Sequence, residues 1–217
     1  KEAMRKELGL ETDLPTTLVV GGGDGVGGIA KIAEALGDEL KDVEHPSQLV
    51  VVCGSNAKIK KKIEEMTFNP KVKVSVQGFV SNMEDFMAAS DCIVTKAGPG
   101  TIAEAMCRGL PTMLSCFLPG QEAGNVPFVT EGGFGEYSNK PGQIASTVAD
   151  WIAHPDQLSE MQHAAKEAGR PSATYDIARD IAAVVLKKEG LPQGNEPGAV
   201  PVPLPVADGR DGALLAA

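Results

Sequence analysis

With 217 residues the chain can bury one good α/β core or two small ones. Its 20 Lys and Arg against 29 Asp and Glu leave a formal net charge of -9, which disfavours duplex nucleic acid and non-specific adsorption to anionic lipid, both held mainly by cationic side chains. Apolar residues make up an ordinary 42%, no run of about 18 of them is present to span a bilayer, and the 25 glycines exceed average usage.

Residues 1–8 have helical character, and the chain opens on Lys1 with no signal or transit peptide in view, so a piece of a longer protein is expected. The β-branched run at 18–20 predicts a short strand that stops at Gly21, Gly22 and Gly23. From Ile29 to Leu40 the spacing turns helical, with Ile29, Ile32, Ala33, Leu36 and Leu40 on one face. A second buried strand is expected over 49–53, a basic helix over 58–65 and a third strand over 72–76, ending at Gly78. A helix over 83–89 and a fourth strand over 91–95 follow. The loop at 96–100 leads into a helix to Arg108, closed by Gly109 in the usual C-terminal position. A fifth strand over 111–114, a polar loop over 117–124 and helices over 123–131, 142–153, 157–166 and 172–188 complete the pattern.

Short, continuously apolar strands separated by helices predict parallel βαβ units with both sheet faces covered. Right-handed crossovers make this a doubly wound, Rossmann-like α/β domain over residues 1–189. The stretch 190–217, rich in Gly, Pro, Ala and Val, cannot form a packed element and is expected to be disordered.

In such sheets ligands sit at the carboxyl ends of the strands, where this chain concentrates glycine and polar residues. Gly23, Gly25 and Gly28 satisfy the dinucleotide spacing G-x-G-x-x-G. A dehydrogenase would also end its second strand on an acid for the ribose, whereas this strand runs into Cys53, Gly54, Ser55 and Asn56. Tight strand-to-helix packing, or a glycine loop facing a donor sugar or an interdomain cleft, are the other readings.

The loop Lys96, Ala97, Gly98, Pro99, Gly100, Thr101 would aim the amides of Gly100, Thr101 and Ile102 outward from a helix N-terminus, a natural seat for a diphosphate. Glu104, one turn on, could take both hydroxyls of a ribose. The alternative is a capping box, since Thr101 and Glu104 have its spacing. Gln121, Glu122 and Asn125, in the next loop, form a hydrogen-bonding cluster suited to a polyol, or else an ordinary helix start.

Other features point to structure. Cys53, Cys92, Cys107 and Cys116 lack metal-ligand spacing and are expected to be buried free thiols in a reducing compartment. His45, His154 and His163 show no triad pattern, and no metal-ligand set is visible. Lys58, Lys60, Lys61 and Lys62 read as a solvated helix face, or as a contact for an anionic membrane surface. Trp151 falls on the apolar face of its helix.

The strings TKAGPGTIAEAMCRGLP and LPGQEAGNVPFV resemble the nucleotide-sugar loops of the plant and algal monogalactosyldiacylglycerol synthases, and LVVGGGDGVGGI, VVCGSN and VQGFVSNMEDFMAASDCIV match that family in order. The likeness covers residues 14–187. It implies the C-terminal, donor-binding half of a two-domain GT-B glycosyltransferase that transfers galactose from UDP-galactose to 1,2-diacylglycerol with inversion. It further implies that Gly78, Phe79 and Val80 lie beside uracil, that Gly98, Pro99, Gly100 and Thr101 hold the diphosphate and that Glu104 takes the ribose. Gln121, Glu122 and Asn125 would meet galactose or its neighbouring phosphate, with Gly22 and Gly23 facing the cleft. No cofactor beyond the UDP-galactose donor, no metal and no nucleic acid is implied. The family's catalytic histidine and acceptor surface have no counterpart in this sequence, so diacylglycerol and peripheral membrane contact would belong to an N-terminal domain and this chain alone should only bind donor. A chloroplast envelope location rests on the same likeness. Another UDP-sugar enzyme of this architecture (an N-acetylglucosaminyl transferase or epimerase), an NAD-dependent oxidoreductase and a binding module without chemistry are the alternatives.

Overall fold

The computed structural model describes residues 1–21 and 28–188. The candidate glycines Gly22 and Gly23 and the stretch 190–217 lie outside the described residues. Backbone contacts separate a unit Lys1–Pro171 from a second unit that begins at Ser172.

In the first unit the order is α1 (Glu2–Glu7), β1 (Thr16–Val20), α2 (Ile29–Leu40), β2 (Ser47–Val52), α3 (Ala57–Glu64), β3 (Val72–Gln77), α4 (Met83–Ala89), β4 (Cys92–Thr95), α5 (Pro99–Arg108), β5 (Thr112–Leu114), α6 (Asn125–Glu131), β6 (Gly135–Tyr137), α7 (Pro141–Ala153) and α8 (Pro155–Ala168). The second unit contributes α9 (Ala173–Lys188). Ser172 accepts the role of its first-turn support by donating to Asp176 at 2.9 Å, and Ile177, Ile181, Val184 and Val185 are exposed along α9.

Six strands form one sheet in the order β3-β2-β1-β4-β5-β6, every pair parallel. This is the doubly wound, Rossmann-like arrangement expected from the alternation of strands and helices. Because side chains alternate across a strand, Leu18, Val50 and Ile93 enter one core with Phe86, Met87 and Ala105, while Val19, Val51 and Val94 enter another with Leu36, Val148 and Trp151. Both faces are thereby covered at the centre of the sheet, which is why β1, β2 and β4 carry continuous apolar runs at 18–20, 49–52 and 92–94. Burying a Leu, Val or Ile side chain in this way stabilises the fold by about 1.5–3 kcal/mol each.

At the amino ends of the central strands, Arg5 is buried and fully employed. Its guanidinium donates to the carbonyls of Ala89 at 2.8 Å and Thr12 at 2.7 Å and to Asp91 at 2.7 Å. Asp91 also accepts the amide of Thr16 at 2.7 Å, so one ionic knot joins α1, β1 and β4 at the end of the sheet opposite the carboxyl ends of the strands.

Two expectations need correcting. A sixth strand, β6, exists where none was read from the sequence. Its residues Gly-Glu-Tyr are too few and too polar to register, and Gly135 is there for space, since a Cβ would stand 2.0 Å from the Thr112 carbonyl oxygen. The four cysteines are free as expected, but only Cys53 and Cys92 are buried; Cys107 is exposed because it falls on the solvent side of α5. Burial pushes the Cys92 thiol up to about 12.

Two outcomes follow from this packing. Gly135→Ala is expected to cost about 1–3 kcal/mol through overpacking against Thr112, visible as a lower Tm. A thiol reagent added to the native protein should modify Cys107 first, while Cys53 and Cys92 react only once the chain unfolds, and early loss of Cys92 would contradict the sheet geometry.

Candidate functional site

Winding reverses between β1 and β4, so the crossovers leaving these adjacent strands run to opposite sides and part their carboxyl ends into a crevice. The loops after β4 and β5 build one wall of it, and they are stitched into a single unit. The Ser115 amide donates to the Thr95 carbonyl at 2.8 Å, the Ala97 amide to the Cys116 carbonyl at 2.8 Å, and the Asn125 side-chain amide to the Ala97 carbonyl at 2.8 Å.

Helix α5 starts at this wall. Gly98 is its N-cap, Pro99 occupies the first helical position, where a missing N–H costs nothing, and the first helical bond runs from the Ile102 amide to the Gly98 carbonyl at 3.1 Å. The amides of Gly100 and Thr101 precede that bond and are left over, at the positive end of the helix dipole. No side chain caps them. Among the described residues, a Cβ added to Gly100 would meet nothing within 4 Å.

The same geometry excludes the capping box. Thr101 sits in the third helical position rather than at the N-cap, so it cannot play that part, and Glu104 projects as an exposed side chain one turn along. Among the described residues neither side chain makes a hydrogen bond or ion pair with another. Both are available to a ligand.

The loop after β5 turns on Leu118, Pro119, Gly120 and Gln121. Pro119 presets the second position, Gly120 supplies the positive φ of 81° that the third demands, and the Gln121 amide closes the turn on the Leu118 carbonyl at 3.2 Å. Gln121 is left exposed at its tip. Glu122 has a different fate: it is only 5% exposed, one carboxylate oxygen is ion-paired to Lys96 and the other accepts the Leu118 amide at 2.9 Å. The hydrogen bond from Lys96 holds its carboxyl below the usual carboxylate range, with the Leu118 amide reinforcing the effect against the opposing pull of burial.

Phe79 and Val80 follow β3, on the far wing of the same edge. That wing is three strand spacings from β4, about 14 Å at the usual separation. Phe79 is 77% exposed, an unusual setting for a large ring, whereas Val80 is partly buried against the core that holds Leu18, Val50 and Val52. The residues after β2 carry no acid, and Asn56 caps α3 by accepting the Ile59 amide at 3.0 Å. His154 pairs with Asp150 within its own helical turn, and Lys60 and Lys61 pair with Glu64 and Glu65, so these groups stabilise helices.

The sequence assigns Gly98, Pro99, Gly100, Thr101 and Glu104 to the loop and helix after β4 and Gln121, Glu122 and Asn125 to the loop after β5, and the structure bonds these two loops to each other through Ala97 and Asn125 and through Lys96 and Glu122. Sequence reasoning assigned nothing to Lys96, although a lone cation directly after the central strand is a signal that could have been read. Its partner, 26 residues away, is not legible from spacing.

Among described residues, no group of His, Cys, Asp and Glu could hold a metal ion, and no helix is long and apolar enough to cross a membrane. The model of the glycosyltransferase family 28 C-terminal domain matches residues 16–177. The chain is 46% identical to "Probable monogalactosyldiacylglycerol synthase, chloroplastic" of Glycine max and 45% identical to "Monogalactosyldiacylglycerol synthase 1, chloroplastic" of Arabidopsis thaliana, over 89% of this chain in each case. It spans 37% of the length of each of these relatives. Among solved structures, MurG of Acinetobacter baumannii superposes with a TM-score of 0.63 at 20% identity, covering 80% of this chain and 51% of that one.

The Lys96–Glu122 pair makes stability depend on acid in a defined sense. A carboxyl that resists protonation in the folded state contributes fully above the ordinary carboxylate range and loses that contribution as the pH falls below it. Replacing Glu122 by Gln should therefore flatten the acid limb of a plot of Tm against pH, and superimposable acid limbs would show that the pair does not form.

Proposed function

The chain belongs to glycosyltransferase family 28, and on that premise we propose that it is the donor-binding half of an inverting hexosyltransferase that moves galactose from UDP-galactose to 1,2-diacylglycerol. The observation that carries this reading is the uncapped start of α5 at the point where the sheet reverses its winding. A departing nucleoside diphosphate develops negative charge there, and fixed amide dipoles that need no rearrangement stabilise such charge best.

In this reading the amides of Gly100 and Thr101, with the Thr101 hydroxyl, receive the diphosphate, and Gly98 and Pro99 give the turn its shape. Glu104 accepts the ribose hydroxyls. Gln121 and Asn125 recognise hydroxyls of the hexose, with Glu122 buried behind them. Phe79 offers its exposed ring to the uracil, with Val80 beside it. The names of the relatives support galactose, diacylglycerol, galactolipid synthesis and a chloroplast location, and the envelope is the place in the chloroplast that this reading adds. The catalytic base, the diacylglycerol site and peripheral membrane contact fall to a partner domain. An NAD-linked oxidoreductase is disfavoured by the Cys53, Gly54, Ser55, Asn56 run after β2, which offers no carboxylate to a ribose.

Calorimetric titration of the chain with UDP, UDP-galactose, UDP-N-acetylglucosamine and NAD tests this directly. UDP and UDP-galactose should bind, and NAD should not. Glu104→Ala is expected to weaken UDP by about 1–3 kcal/mol, the scale of a lost charged hydrogen bond. Gly100→Ala should leave Tm nearly unchanged, because its Cβ would meet nothing within 4 Å among the described residues, yet abolish UDP binding by crowding the ligand. NAD binding, or UDP binding indifferent to both substitutions, would sink the reading.

A further inference from the structure

Lys96 occupies a position that a cation would not take unaided. It follows the last residue of β4, and its backbone folds tightly, the Gly98 amide donating to the Lys96 carbonyl at 2.7 Å. The side chain then curls back over the start of α5. A Cβ built on Gly98 would stand 3.1 Å from the Lys96 ammonium nitrogen and 3.5 Å from Cε. Gly98 has an ordinary φ of -74°, so a side chain there would crowd the lysine rather than strain the backbone. An ammonium at the N-terminus of a helix faces the positive end of the dipole and is repelled by it.

Glu122 is what keeps it in place. The carboxylate is buried, its other oxygen is fixed by the Leu118 amide, and the turn that carries that amide is set by Pro119 and Gly120. The loop after β5 thus presses a negative charge against Lys96 from the protein side. One carboxylate balances one ammonium; the helix end remains uncompensated. Lys96 keeps 31% of its side chain exposed, and an ammonium has three donors, of which Glu122 takes one. The remaining donors lie beside Gly98, the N-cap of the helix whose first free amides are those of Gly100 and Thr101.

We propose that Lys96 is a contact for the diphosphate of the donor and that Glu122 is its positioning residue, acting on the ligand through Lys96 rather than by touching the sugar. This rests on the reading of the site as a nucleotide-sugar pocket. It changes the part of Glu122 within it, from a sugar ligand to the anchor of a cation that supplements the helix amides.

The test compares UDP with uridine, which keeps the base and ribose and lacks the phosphates, by calorimetry and ligand-observed NMR on the full chain. Lys96→Met should weaken UDP about ten- to a hundredfold, as for one charged hydrogen bond, and leave uridine unchanged. Lys96→Arg should retain most of the affinity. Glu122→Gln should reproduce the selective loss for UDP in weaker form and lower the salt dependence of UDP binding, since a loosened cation contributes less. Equal weakening of UDP and uridine would mean a structural role and overturn the proposal, as would a Lys96→Met variant that binds UDP like the parent while the parent itself binds well. Should the parent bind no UDP, both this proposal and the reading it rests on fall together. If Lys96→Met does not fold, the split between UDP and uridine in Glu122→Gln decides alone.

Discussion

The parallel pairing of β1 with β4 is the constraint on which the rest depends. Thr17, Leu18 and Val19 lie in register with Cys92, Ile93 and Val94, so the two strands end level with each other at the same edge. Right-handed crossovers then send their outgoing chains to opposite faces, and no packing of helices can close the gap between them. The crevice is a topological necessity. Every candidate residue owes its position to the strand it follows.

What differs along that edge is how firmly each loop is held. The loops after β4 and β5 are bonded to one another at Thr95, Ala97 and Cys116, bridged by Asn125 and crossed by the Lys96–Glu122 pair. Polar contacts of this kind in a partly desolvated place are strong individually and mutually supporting. A ligand arriving there meets donors already in position, so little ordering cost is left for the binding step. On the other wing, Phe79 presents a ring with no such framework around it.

The fold was legible because its signals are local and repeated. The helical face of Ile29, Ile32, Ala33, Leu36 and Leu40 is buried as its spacing requires, Trp151 lies in the core, and Gly109 ends α5 with a φ of 67°. β6 escaped notice because three residues around a glycine carry no period, and its existence depends on a carbonyl of Thr112 that is near only in space. The glycine-rich start of α5 was readable as a helix N-terminus, but not whether Thr101 capped the helix, since that turned on where the helix begins. Pro99 decided it, by taking the first helical position and moving the N-cap back to Gly98. The inward turn of Glu122 was illegible for a simpler reason: its partner is on another loop. Cys107 misled because an apolar neighbourhood in sequence says nothing of which side of a helix a residue takes.

The C-terminal end of α5 is clamped. Its Gly109 terminus comes so close to α8 that a Cβ there would stand 3.2 Å from the Gln162 carbonyl oxygen, and Gly169 would meet the Met106 carbonyl oxygen at 2.9 Å. Those two glycines let backbone lie against backbone, with no side chain between to yield. Such a helix behaves as an anvil. Its rear backbone rests directly on α8, so a shift of α5 along its axis would have to carry α8 with it. Loosening the rear of α5, far from any reacting atom, would then be felt as slack at its front.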